Sequence, residues 1–88
     1  MIEEKDLIIK NDRIYYEKDG KILAEVDFED IGEKRMNIGH TYVDESLRGY
    51  GVGNILVGKA VQIIKEKGYT VHATCSYAKK CIKENNWN

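Results

Sequence analysis

The sequence predicts a single mixed α/β domain (α+β in its segregation), in which an antiparallel β-meander runs into a helix–strand–helix unit. Three observations carry that prediction. Apolar residues alternate with a period of two as far as Val43 and recur at helical spacing from Val52 onward. Asp19-Gly20 separates two alternating runs, the local signature of a type I′ hairpin. The stretch Arg48-Gly49-Tyr50-Gly51-Val52-Gly53-Asn54 stands where a strand must hand over to a helix.

In chain order, Leu7 to Lys10 is a short β-prone run closed by the turn-forming pair Asn11-Asp12. Arg13 to Lys18 resumes it with Ile14, Tyr15 and Tyr16, and Lys21 to Phe28 alternates Ile22, Ala24, Val26 and Phe28 with Leu23, Glu25 and Asp27. Glu29 to Gly32 is expected to be a loop, with Gly32 supplying a positive φ. Lys34 to Val43 is the next strand; strict alternation puts Met36, Ile38, His40 and Tyr42 on one face and Asn37, Gly39, Thr41 and Val43 on the other.

From Gly53 to Lys67 the period becomes helical. Val52, Leu56, Ala60, Ile63 and Ile64 form the stripe, Ile55, Val57 and Val61 widen it, and Gly68 stops the helix after a cationic last turn. Tyr69 to Cys75 is a strand, and Ser76 is the expected N-cap of a last helix over Tyr77 to Asn85 that turns Ala78, Cys81 and Ile82 inward. A strand–helix–strand connection must cross the sheet, so its two strands are parallel. Splayed apart at their C-terminal ends, they would open a slot beside the glycine turn.

Composition narrows the function classes. Eighty-eight residues, 42% hydrophobic and 33% charged, describe one domain over 1–88 with a modest core. The acidic, polar start and the absence of a long apolar run lead us to expect a cytoplasmic protein without a membrane partner. The net charge of −1 hides an asymmetry: residues 1–45 hold 7 Lys+Arg against 13 Asp+Glu, and residues 46–88 hold 7 against 2. The glycine turn lies in the cationic half, which suits an anionic ligand. No aromatic platform or basic helix stripe accompanies that charge, so nucleic acid is not an expected partner. Cys75 and Cys81 are expected as reduced thiols, and with His40 and His72 they match no metal-ligand spacing.

Alternating glycines at a strand-to-helix turn remove Cβ atoms where backbone N–H groups converge at the positive end of a helix, an arrangement suited to phosphate. Two nucleotide patterns fail here. Leu56 stands where a dinucleotide fingerprint needs its third glycine, and Ala60 replaces the magnesium-binding Ser/Thr in the Gly53-to-Lys59 run. Cys75 sits just before the last helix with Lys79 and Lys80 nearby, where a thiolate is favoured; the competing reading is a small hydrophobe at a strand end. His40 is a candidate base for an incoming ammonium or for the Cys75 thiol, against the plainer role of a hydrogen-bonded strand histidine. His72 is expected to be peripheral and Cys81 to belong to the core.

Arg48-Gly49-Tyr50-Gly51-Val52-Gly53 matches the Arg/Gln-x-x-Gly-x-Gly/Ala signature of GNAT-type acyl-CoA-dependent N-acyltransferases. The wider run from His40-Thr41 through Leu47-Arg48-Gly49 to Thr74-Cys75-Ser76-Tyr77 resembles a subfamily of very small predicted acetyltransferases. The resemblance implies a minimal GNAT fold, acetyl-coenzyme A as donor, and an amine or protein acceptor. It also implies coenzyme A contacts at Arg48, Gly49, Gly51, Val52, Gly53 and Asn54, with the pantetheine arm between Met36–Val43 and Tyr69–Cys75. An oxyanion-stabilising N–H would come from Tyr42 or Val43, and the shared Cys-Ser-Tyr run implies a catalytic Cys75. Larger members protonate the leaving thiolate with a tyrosine whose aligned position here is Ile82, with Tyr77 one turn earlier. Direct transfer, transfer through an acyl-Cys75, and a coenzyme A-binding module without turnover all remain open at this point.

Overall fold

The computed structural model describes residues 2–87, and these form one five-stranded sheet with two helices on one face. After a one-turn 3-10 helix (Glu4–Asp6) come β1 (Ile8–Ile9), β2 (Arg13–Lys18), β3 (Lys21–Gly32) and β4 (Arg35–Val43). A second 3-10 turn (Glu45–Leu47) leads to α1 (Val52–Glu66), β5 (Thr70–Ala73) and α2 (Ser76–Asn85). Strands lie side by side in chain order; the first three pairings are antiparallel, and β4–β5 is parallel. That is the expected meander followed by a crossover.

The Asp19-Gly20 hairpin forms with φ positive at both residues (52° and 78°), as a type I′ turn requires. The next turn departs from expectation. Glu29 to Gly32 stays in β3, and the chain reverses at Glu33-Lys34, both in the left-handed region. Gly32 does carry a positive φ, of 91°. Residues 29–32 break the apolar alternation because this end of β3 projects beyond the core, where even Ile31 is exposed, and not because they leave the strand.

A second departure bears directly on the site. The β3–β4 register runs Val26↔Thr41 and Asp27↔His40, then jumps to Phe28↔Ile38, leaving Gly39 as the extra residue of a bulge. One extra residue exchanges the faces of everything beyond it. Met36 and Ile38 therefore share the helix-covered face with Thr41 and Val43, partnered by the buried Phe28, Val26 and Ala24. His40 and Tyr42 lie on the opposite face, with Arg13, Tyr15, Glu25 and Asp27.

The core fills the space between the sheet and α1. Ile14, Ile38, Leu56 and Ile64 are sealed completely, each worth about 1.5–3 kcal/mol over an exposed side chain. Helix α2 closes the layer with Ala78, Cys81 and Ile82. Two glycines let the helices approach. A Cβ on Gly53 would collide with the Tyr77 hydroxyl, and one on Gly58 would lie 2.9 Å from Trp87 Cη2.

Candidate functional site

The glycine turn is shaped by backbone geometry. Asp44 ends β4 and caps the following 3-10 turn, its carboxylate accepting from the Ser46 N–H (3.0 Å), the Ser46 hydroxyl (2.7 Å) and the Tyr42 hydroxyl (3.1 Å). These donors, Ser46 first, hold the Asp44 carboxyl below its ordinary value. Gly49 and Gly51 then adopt φ of 89° and 73°, and a Cβ at either would meet nothing within 4 Å. They are glycines for the left-handed conformation, and they leave the front of the turn clear. Gly51 is the N-cap of α1. The Ile55 N–H is the first to reach a carbonyl of the helix, Gly51 O at 3.1 Å. The amides of Val52, Gly53 and Asn54 are thus the unbonded donors of the helix's positive end.

A slot runs from this turn along β4. Parallel pairing stops where Thr74 N–H and Cys75 N–H both donate to Ile38 O, at 3.1 and 3.2 Å. Among the described residues, β4 from Gly39 to Val43 pairs with no strand on its β5 side. Asp44 N–H donates to Leu23 O (2.7 Å), so alternation turns the Tyr42 amide toward β3 and the Thr41 and Val43 amides toward the gap. Of the two expected oxyanion donors, only Val43 faces the slot with its N–H. Its carbonyl, pointing the same way, accepts from Arg48 Nε at 3.4 Å.

The gap is a cavity of about 370 Å³ walled by Thr41, Val43, Arg48, Gly51, Gly53 and Tyr77, with Gly49 and Val52 also at its edge. Asn54 is not among its walls; its side chain accepts from Asn85 Nδ2 at 2.9 Å on the far side of the helix pair. The clear turn, the three donor amides and a neighbouring guanidinium fit a diphosphate with a linear tail, and the slot's apolar and hydroxyl walls fit that tail.

Cys75 is not among the walls of that cavity; it lies behind Thr41, as the N-cap of α2, one residue ahead of the expected Ser76. Its Sγ lies 3.6 Å from Thr41 Oγ1. Burial of the thiol opposes ionisation, but the Ala78 amide, the Thr41 hydroxyl and the Tyr77 amide outweigh it and hold Cys75 below its ordinary pKa. No first-turn amide makes a full cap bond to the sulfur, so the effect is that of donors gathered around it. Tyr77 leans across the slot against Gly53, its hydroxyl pKa pushed up to about 12 by burial first and by Cys81 second. Cys81 is buried, and burial raises its thiol. Ile82, the aligned tyrosine position, is core.

His40 is not brought to Cys75. The bulge turns it to the open face, at the edge of a groove of about 910 Å³ that includes Arg13, Glu25, Asp27 and Asn37. There the nearest donor atoms of Glu25, Asp27 and His40 all lie within 4.8 Å of one another. Arg13 Nη1 donates to Glu25 Oε1 at 2.9 Å. Burial, then the Glu25 charge, raises the Asp27 carboxyl above its usual range, with His40 and Arg13 pulling the other way. His72 is exposed on β5. Thr41, the hydroxyl beside the thiol, was missed because plain alternation assigns it to the face opposite Ile38; a glycine within a strand is the signal that marks such a bulge.

Three comparisons bear on this geometry. The sequence model described as "GCN5-related N-acetyl-transferase" matches residues 13–88. Protein NATD1 of Xenopus tropicalis is 34% identical over 58 residues, which is 66% of this chain and 53% of that protein. The chain spans about half the length of the curated relatives it matches. Among solved structures, a Staphylococcus aureus protein described as GCN5-like superposes with a TM-score of 0.75 at 29% identity, covering 92% of this chain and 81% of that one. The ribosomal-protein-alanine N-acetyltransferase of Brucella melitensis shares the fold, at 18% identity and a TM-score of 0.66, over 82% and 58% of the two chains.

Proposed function

Because the chain belongs to the GCN5-related N-acetyltransferase family, we propose that it transfers an acetyl group from acetyl-coenzyme A to an amine. The observation that carries this is the junction of the clear glycine turn with a slot whose Thr41 wall is in contact with the Cys75 thiol. The Val52, Gly53 and Asn54 amides and Arg48 would hold the diphosphate, and the Thr41 and Val43 amides would orient the pantetheine arm along β4. When bound, the donor supplies an activated acetyl carbon.

The chain's own groups then divide the work. The Val43 N–H faces the gap and is the donor available to the carbonyl oxygen. Tyr77 keeps its proton at neutral pH, with a pKa of about 12, and can share it with a leaving sulfur. Cys75, lowered in pKa and touching Thr41, can take the acetyl group first and pass it on. In direct transfer the bond from the acceptor nitrogen to the acetyl carbon forms as the donor sulfur–carbon bond breaks. Through Cys75, the Cys75 sulfur–carbon bond forms as the donor's breaks, and it breaks in turn as the bond to the nitrogen forms. In the first route the proton lost by the acceptor nitrogen balances the one gained by the donor sulfur. In the second the Cys75 thiol gives up that proton and regains one from the nitrogen, so the net balance is the same.

Intact-mass spectrometry after mixing with acetyl-coenzyme A tests the Cys75 route. A single acetyl increment, removed by hydroxylamine and absent in Cys75→Ser, is expected. Amine acetylation without that increment would establish direct transfer, whereas bound coenzyme A with no acetylation of any amine would reduce the chain to a binding module.

A further inference from the structure

At the β5 end of the sheet the chain presents backbone groups that it does not itself use. Among the described residues β5 pairs only with β4, so its other edge is uncovered. Thr70 N–H donates to Lys34 O at 2.8 Å and Thr74 N–H to Ile38 O at 3.1 Å, both toward β4. Backbone groups alternate sides along a strand, so the N–H and C=O of Val71 and of Ala73 point away from β4. Among the described residues no turn, loop or cap bond takes them up. Donor and acceptor therefore repeat along this edge in the pattern that an added strand completes.

Beside the edge lies a groove of about 170 Å³ walled by Val71, Ala73, Lys79, Ile82 and Lys83, none of which lines the slot. The side chains of Val71 and Ala73 turn toward the helices and are only partly covered, while Ile82 is buried, which gives the groove an apolar floor. Lys79 and Lys83 stand one turn apart on α2, on the same face as Ile82, and both are exposed. Like charges at that spacing repel, and among the described residues neither ammonium forms an ion pair.

We propose that the β5 edge docks an extended acidic segment of a partner protein, added antiparallel to β5. In an antiparallel pair, opposed residues exchange both backbone bonds and carry their side chains on the same face. The two partner residues bonded to Val71 and Ala73 therefore also face the groove, and Asp or Glu at both meets Lys79 and Lys83. The spacings agree: alternate residues of a strand are about 6.6 Å apart, and residues four apart on a helix about 6 Å along its axis. A second copy of this chain fits poorly, because pairing β5 with its own symmetry mate would crowd the lysines of both copies together.

Titrating acetyl-Thr-Glu-Thr-Glu-Thr-amide into the 15N-labelled full chain, without cofactor, tests the edge independently of any acyl transfer. Saturable shifts at the Val71, Ala73, Lys79 and Lys83 amides are expected. Binding should weaken at least tenfold for acetyl-Thr-Lys-Thr-Lys-Thr-amide, for the glutamate peptide N-methylated at both glutamates, and for a chain carrying Lys79→Gln and Lys83→Gln. The N-methylated peptide keeps the charge and loses the donors, so equal affinity for it would reduce the contact to surface charge and overturn strand addition. Absent shifts, or unchanged affinity for the lysine peptide or in the double variant, would overturn the proposal as well. So would a peptide-free dimer, seen by sedimentation velocity, whose formation shifts the Val71 and Ala73 amides. Spectral dispersion reports whether the double variant is folded, and Lys83→Gln alone provides the same comparison if it is not.

Discussion

At the scale of single residues, two thiols of one chain are tuned in opposite directions by where they sit. Cys75 is lowered because amides at the start of α2 and the Thr41 hydroxyl outweigh its partial burial, whereas Cys81 is raised by burial alongside α1. Iodoacetamide labelling followed by peptide mass spectrometry across a pH series should therefore modify Cys75 at lower pH than Cys81. Equal profiles would remove the thiolate from the mechanism. The sign for stability follows from linkage. A folded pKa below the unfolded one means that the Cys75 contribution is complete above the unfolded thiol pKa and is lost as pH falls through the folded value. Glycines divide in the same way. Gly49 and Gly51 answer to φ, while Gly53 answers to the Tyr77 ring, so its absent side chain serves helix packing as well as any ligand.

At the scale of elements, the Arg13–Val43 meander, the parallel crossover and both helices were legible because period-2 and period-3.6 patterns are written in the apolar residues themselves. The bulge was not. Gly39 inserts one residue without altering composition, yet it decides that Thr41 meets Cys75 and that His40 does not. The β3–β4 turn was misplaced for a related reason: Glu29 to Gly32 outrun the core, and their one apolar residue, Ile31, is exposed and continues no buried stripe. Asn54 shows the same limit, since only packing reveals that its side chain belongs to Asn85. The slot depends on how α2 is held, and Trp87 fastens its far end against Gly58 on α1. Trp87→Ala should cost about 2 kcal/mol, below the 3–5 of a sealed aromatic because this ring is only partly buried. A lower urea midpoint together with weakened cofactor binding is expected; a stability loss with unchanged binding would uncouple that contact from the slot.

At the scale of the whole molecule, one sheet separates two surfaces of different character. The helix side carries the glycine turn and the cationic half of the sequence, and the open side carries Glu25, Asp27 and their neighbours. Pairing of β4 with β5 ends at Ile38↔Ala73, which leaves the later part of β4 free to line the slot on the helix side.

The most direct test of this arrangement is a titration of coenzyme A followed by amide NMR, repeated with a Gly51→Val chain. Saturable shifts concentrated at Gly49 to Asn54, Thr41 and Val43 are expected, with affinity falling at least tenfold in the variant. Saturable binding that leaves those amides still and moves others, or no binding at all, would contradict the account.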